Sequence, residues 1–300
     1  MIRFLTILIC IFTLHTLSFG QSVDELVQTA YSLQISGKHD DASTVINKAI
    51  SAKGGEKNKL AWHVRGFIYK DLFIKNRAQR EAGQYRSEAV TSFLKSNELD
   101  KDNQLAPQNQ KALRFLAVSY FNDASDIIAE HDPDRIEKAE DNYFKYRNII
   151  TELNPDTNLV NKDIEYFLAM STAHRKIYES DRETYDENWN VSNEYMNKVL
   201  DLDPTSFKAL YAKGVSYYNR GAYNIERMPH VEIYDLMEIQ SESMRSIEAA
   251  FPFMMRAYEI DSTKVEAVRA LKIITFNLNK EEESRYFQDK LEELDGNFKK

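Results

Sequence analysis

The sequence predicts an all-α protein, an α-solenoid of about six antiparallel helix pairs, on three observations. There are only nine glycines and six prolines in 300 residues, less than half the roughly 12% of an average chain. Sandwiches and barrels turn every ~8–12 residues, and nucleotide-binding enzymes need Gly-rich phosphate turns, so both are disfavoured. The second observation is a phrase that recurs four times: Glu98-Leu99-Asp100, Glu152-Leu153-Asn154, Asp201-Leu202-Asp203 and Glu259-Ile260-Asp261. In each, the acid-Leu/Ile pair closes an apolar stripe. Asp or Asn, in two cases followed by Pro, then stops the helix, and Asp, Thr or Ser is available to cap the next one. Third, 43% hydrophobic and 29% charged residues give enough apolar material for a core, which excludes a disordered chain.

Taken in chain order, the first element reads as an export signal over residues 1–20. Arg3 supplies the positive charge, Phe4 to Leu17 is a 14-residue uncharged run, and Ser18-Phe19-Gly20 places small residues before Gln21. Fourteen residues fall short of the ~20 a membrane span needs, so no transmembrane span is expected after signal cleavage. Residues 21–300 then form the solenoid domain, located in the periplasm or cell envelope. Cys10, the sole cysteine, falls within the signal, so the domain has no disulfide, no thiolate nucleophile and no cysteine zinc site. The net charge of −8 becomes −9 once Arg3 is lost. That balance implies no basic face, and on this reading nucleic acid is excluded as a partner. One local exception is the cationic run from His63 to Arg86, either a solvated helix face or a site for an acidic partner.

The helices follow. Ser22-Val23-Asp24-Glu25 has capping-box spacing, and Ala30, Leu33, Gly37, Ala42, Ile46 and Ala49 outline a first pair. A second pair is outlined by Trp62, Gly66 and Tyr69, then Ala89, Phe93 and Ser96, lengthened between Phe73 and Gln84 with a turn near Gly83. Pro107 precedes the next first helix, Asp132-Pro133-Asp134 marks a hairpin tip, and the unit starting near Asp163 is ambiguous by one turn. Leu210, Gly214 and Tyr217 begin a later unit that closes with Ala250, Met254 and Ala257, and Gly221 is placed at its turn. Residues 222–246 lengthen both its helices around Met228-Pro229-His230, by about 18 Å for twelve residues each. Pro252 is an interior proline that should kink its helix. Thr263-Lys264-Val265-Glu266 has the spacing of another capping box, and Glu281-Glu282-Glu283 suits the N-terminal end of the last helix dipole.

These residues resemble the tetratricopeptide repeat (TPR) family, whose 34-residue unit packs two helices through a large residue at position 4, small ones at 8, 20 and 27, and aromatics at 11 and 24. Trp62, Gly66, Tyr69, Ala89, Phe93 and Ser96 match one unit; Ala30, Ala42, Ile46 and Ala49 match the first. The chain departs from the family in length, with break phrases 54, 49 and 58 residues apart. In its elongated hairpins it is similar to exported TPR proteins of Bacteroidetes. The resemblance implies a concave face lined by positions 2, 5, 9, 12 and 13 of each first helix. Carried over where the register is clear, the groove candidates are His63, Phe67 and Lys70 with Leu60 and Asp71, then Lys111, Arg114, Phe121 and Asn122 with Val118, then Lys208, Tyr211, Tyr218 and Asn219 with Val215.

No catalytic constellation stands out. The five histidines after the signal are scattered, with no His-Glu-x-x-His, no Gly-x-Ser-x-Gly and no P-loop. The expectation is a non-enzymatic protein with no cofactor and no metal site. It would bind a protein or peptide in the groove, for which an acidic or C-terminal carboxylate segment with an apolar anchor is the natural ligand. Three alternatives stay open: the groove aromatics pack between adjacent units, the chain is a homo-oligomer associating through Met228, Tyr234, Met237 and Met244, or it is an enzyme or carbohydrate-binding protein whose site is made only by tertiary arrangement.

Overall fold

The computed structural model describes residues 21–79, 81–227 and 233–297. The export-signal assignment to residues 1–20, Arg80 and the proposed Met228-Pro229-His230 turn lie outside these residues, as does the side chain of Tyr234.

Twelve α-helices and one 3-10 turn occur among the described residues, and no strand. They are α1 (Val23–Ile35), α2 (His39–Ser51), α3 (Lys59–Lys75), α4 (Ala82–Leu99), α5 (Ala106–Glu130), α6 (Glu137–Leu153), α7 (Val160–Ser180), α8 (Glu187–Leu202), α9 (Phe207–Arg227), α10 (Ile233–Ile260), α11 (Val265–Asn277) and α12 (Glu281–Asn297). Each odd-numbered helix packs against the even one that follows. The chain divides into two compact units, with the boundary between Leu116 and Ala117, inside α5.

In the first unit α3 packs on both α1 and α2, which is the side-by-side stacking of an α-solenoid. Small residues set the spacing. Ala30, Ala42, Ala49, Ala61 and Ala89 are fully buried, and Gly66 lies so close to Phe93 that a Cβ would stand 2.6 Å from the ring. The Ser22/Glu25 capping box forms as expected, with Glu25 N–H donating to Ser22 Oγ at 3.2 Å and Ser22 N–H to the Glu25 carboxylate at 2.9 Å. Gly37, at φ 74°, ends α1 in a Schellman turn: Lys38 N–H reaches the Leu33 carbonyl and Gly37 N–H that of Gln34, both at 2.9 Å.

In the second unit α8 packs on α9, α10 on α11, and α9 also touches α11. Gly214 repeats the device of Gly66, its missing Cβ replaced by Met254 at 2.7 Å. Gly221 corrects the sequence reading. It lies within α9 rather than at a turn, and its absent side chain admits Ile247 and the Ser243 carbonyl, each 2.7 Å from where a Cβ would be. The α9–α10 hairpin is elongated as expected, but unequally, with 21 and 28 residues. Pro252 is inside α10.

The break phrases do end helices, at Leu99, Leu153, Leu202 and Ile260. In the last two phrases the polar residues act differently from the expectation that Thr or Ser caps the next helix. Asp261 accepts from Thr263 N–H at 3.0 Å and from its hydroxyl, and Asp203 accepts in the same way from Thr205. With Thr263 thus engaged, Lys264 is the N-cap of α11 without a side-chain bond, and the second capping box does not form. The local Asx turn competes successfully for the hydroxyl.

Candidate concave site in the first unit

Two clefts sharing Phe67 and Gln108 open along α1, α3 and the start of α5. One, of about 380 Å³, is lined by Tyr31, Gln34, Ile35, His63, Phe67 and Asp71 among others. The second, of about 360 Å³, is lined by Phe67, Lys70, Ile74, Lys111 and Phe115. The first helices supply these walls because their opposite faces are consumed by the core: Val64, Ile68 and Leu72 of α3 are buried, leaving residues one helical step away to face outward.

Of the groove residues expected from the sequence, the structure brings His63, Phe67, Lys70 and Lys111 together on these clefts. Arg114, Asn122 and Asn219 are exposed but lie outside the clefts described. Lys208 borders a separate cleft of about 450 Å³ in the second unit, with His131, Leu168, Thr172 and Met196. The remaining three aromatics are packed. Phe121 meets Tyr146 at 5.1 Å, Tyr211 stacks on Phe207 at 5.8 Å, and both Tyr211 and Tyr218 pack against the buried cluster of α10, α11 and α12. For these, packing between neighbouring helices is the outcome.

The sequence reading passed over Tyr31, Gln34, Ile35, Ile74 and Phe115. For the first three the signal was present. Ala30 at repeat position 8 puts Tyr31, Gln34 and Ile35 at positions 9, 12 and 13, the positions used for the other units. Ile74 and Phe115 fall outside that set.

The electrostatics of the face are largely internal. Lys70 Nζ donates to Asp71 Oδ1 at 3.1 Å, and Gln34 Nε2 to Asp71 Oδ2 at 2.9 Å. The cationic run from His63 to Arg86 is in part engaged within the fold, with Arg77 left exposed. Arg65 donates to Asn47, Ser92 and Glu88 and lies 4.4 Å from the Tyr69 ring; Lys75 pairs with Asp40, and Arg86 is buried against Phe73. Lys111 and Arg114 have no such partner among the described residues.

Behind the groove, Asp100 is the hub of a buried network. It accepts from Lys59 Nζ at 2.8 Å and from the N–H groups of Leu105 (2.7 Å) and Ala106 (3.0 Å). Burial alone would push its carboxyl up, but Lys59 and the two amides outweigh it and hold the group well below the ordinary range. His63 is pushed down by burial, against the opposing effects of its bond to Asn109 and the Asp100 charge.

In the second unit Tyr143, Tyr166 and Tyr195 are core. Tyr143 and Tyr166 stack at 3.8 Å, and Tyr143 donates to the buried Asp163 at 2.7 Å, which Arg147 also contacts at 3.1 Å. Burial first, then the Asp163 bond, raises Tyr143, so it stays protonated and structural. Among the described residues no group of three His, Cys, Asp or Glu is placed to hold a metal ion, and no helix is long and apolar enough to cross a membrane.

The fold and groove together define an all-α array of TPR-like helix pairs with a grooved face. No family model matches the chain. No curated protein sequence matches it either. Among solved structures it is similar to a monomeric mutant of IFIT1 with Gppp-AAAA, at 14% identity and TM-score 0.35, covering 90% of this chain and 50% of that one. It is similar also to a second monomeric IFIT1 mutant with m7Gppp-AAAA in the anti conformation of the cap, at 15% identity and TM-score 0.35, covering 90% and 69%. The chain thus spans half the length of the first of these. The likeness is one of helical architecture. Both of those chains are described with a cap-bearing oligonucleotide, and the exclusion of nucleic acid drawn from net charge does not stand. A negative total does not forbid such a ligand, because binding depends on local charge.

Proposed function

We propose that the protein is a non-catalytic, exported scaffold of the bacterial cell envelope that binds an extended protein segment along the α1–α3–α5 groove. One observation carries the reading. Tyr31, Ile35, Ile74 and Phe115, between 47% and 69% exposed, all line the two clefts of a face whose other side is fully packed. Clustered apolar side chains left in water mark an interaction surface, and stacked helix pairs suit an extended peptide. Lys111, unpaired and on the same wall, complements a carboxylate on that segment. The export and envelope assignments rest on the Arg3, Phe4–Leu17 and Ser18–Gly20 pattern, and the non-catalytic one on the absence of a catalytic motif in the sequence.

Decapeptides selected from a randomised display library on the purified chain test this. Phe115→Asp should weaken the selected peptides about tenfold or more, since it buries a charge where an anchor sat. Lys111→Glu should weaken the acidic ones selectively. Unchanged affinity in both variants, or displacement of every peptide by Gppp-AAAA, would overturn the reading.

A second reading is self-association through α10, favoured by Met237, which is 80% exposed. Light scattering decides it, because a strict monomer at high concentration eliminates this reading.

A further inference from the structure

The polar atoms that line the α1–α3 cleft are fixed by bonds behind it, and their protonation can be deduced from one end of the chain of bonds to the other. Ser96 donates its only hydroxyl proton to the Lys59 carbonyl at 3.0 Å. It must therefore accept from Asn109, whose Nδ2 lies 2.9 Å away and also donates to Asn97 Oδ1 at 2.9 Å. That fixes the Asn109 amide, so its Oδ1 is the atom 2.7 Å from His63 Nδ1. A carbonyl oxygen only accepts, so Nδ1 of His63 carries the proton. Burial disfavours the charged ring, which leaves Nε2 bare, and Nε2 has no partner among the described residues.

The same logic applies to Gln34. The Asp71 carboxylate can only accept, so Gln34 turns its NH₂ to it and keeps its Oε1 as the unengaged end. The cleft thus presents His63 Nε2, Gln34 Oε1 and the remaining lone pairs of Asp71 as acceptors, together with the Gln108 amide, beside the apolar walls of Tyr31 and Ile35.

We propose that the α1–α3 cleft selects a hydrogen-bond donor at the end of a long side chain, a lysine or arginine, on the bound segment, while the Lys111 end takes its carboxylate. This rests on the groove reading above and adds to it a direction: the ligand is dipolar along the groove. The methylene stem of Lys or Arg would lie on Tyr31 and Ile35 with its head at the three acceptors.

The free protein tests the deduction without a ligand. Long-range ¹H–¹⁵N spectra of the histidine rings should show His63 protonated at Nδ1 and bare at Nε2 near neutral pH. The opposite tautomer overturns the inference and leaves the groove reading intact. With the display-selected decapeptides, replacing the Lys or Arg by norleucine should weaken binding to the wild-type chain about tenfold. The same replacement should cost clearly less on binding to His63→Phe, which keeps only Gln34 and Asp71 as acceptors and whose fold is checked by circular dichroism. Equal losses in both proteins, or no loss in either, contradict the inference. If no selected peptide is sensitive to Phe115→Asp, the parent reading fails, and this one with it.

Discussion

The helix-pair register makes a sign prediction that separates two glycines of the same hairpin. In Gly66→Ala the new methyl would stand 2.6 Å from Cδ1 and Cε1 of Phe93, a fully buried ring. Carbon atoms pack at about 3.5–4.0 Å, so α3 and α4 must separate by close to 1 Å or Phe93 must leave its rotamer. Overpacking of this kind costs about 1–3 kcal/mol. Alanine regains up to ~1 kcal/mol of helix propensity, so a net loss of about 1–2 kcal/mol is expected. In Gly83→Ala the methyl meets nothing within 4 Å in the first turn of α4, and only the propensity gain of up to ~1 kcal/mol remains. Urea unfolding followed by circular dichroism should move the midpoint down for Gly66→Ala and up or not at all for Gly83→Ala. A Gly66→Ala chain as stable as the wild type would refute the crossing of α3 on α4, and with it the register on which the groove is built.

Three further outcomes follow from particular groups. Asp100 has a depressed carboxyl in the fold, so the stability it contributes is complete above its unfolded pKa of about 4 and lost as pH falls toward the folded value; Asp100→Asn should flatten that acid limb in unfolding curves between pH 5 and pH 2. His63 and His174 are both lowered by burial, so the unfolded chain binds more protons below about pH 6.5. The unfolding midpoint should therefore rise from pH 5 to pH 7.5, and a double His→Gln variant should lose part of that rise. Pro252→Ala restores an N–H inside α10 at an exposed position and should stabilise the chain, by at most ~3 kcal/mol in calorimetry; a loss would mean that α10 depends on the proline's geometry.

Much of the architecture could be read from local chemistry because the devices that set it are local. The break phrases stop helices through Asp100, Asn154, Asp203 and Asp261, and Gly66 and Gly214 sit where a large residue of the next helix must enter. Reading failed where two local rules compete. Thr263 fits a capping box and an Asx turn equally well by spacing, and Asp261 takes it. Gly221 was read as a turn because turns favour glycine, yet close helix approach asks for the same residue. At the groove, repeat positions located His63, Phe67, Lys70 and Lys111, but Phe121, Tyr211 and Tyr218 sit at equivalent positions and are packed. Whether an aromatic faces a cleft or a neighbouring helix depends on the partner helix, here α6 for Phe121, and spacing within one helix does not contain that information. Net charge does not describe the local surface, because Arg65, Lys70, Lys75 and Arg86 are engaged internally while Lys111 and Arg114 show no such bond among the described residues.

The groove itself is tested most directly by methyl NMR of isoleucine-labelled protein titrated with a display-selected peptide. Ile35 and Ile74 are exposed on the two clefts, while Ile225 and Ile260, each 41% exposed, lie on α9 and α10 of the second unit. The methyl signals of Ile35 and Ile74 should shift and saturate together with those of Ile225 and Ile260 unmoved. Shifts confined to Ile225 and Ile260, or none at saturating peptide, would contradict the proposed α1–α3–α5 groove as the binding surface.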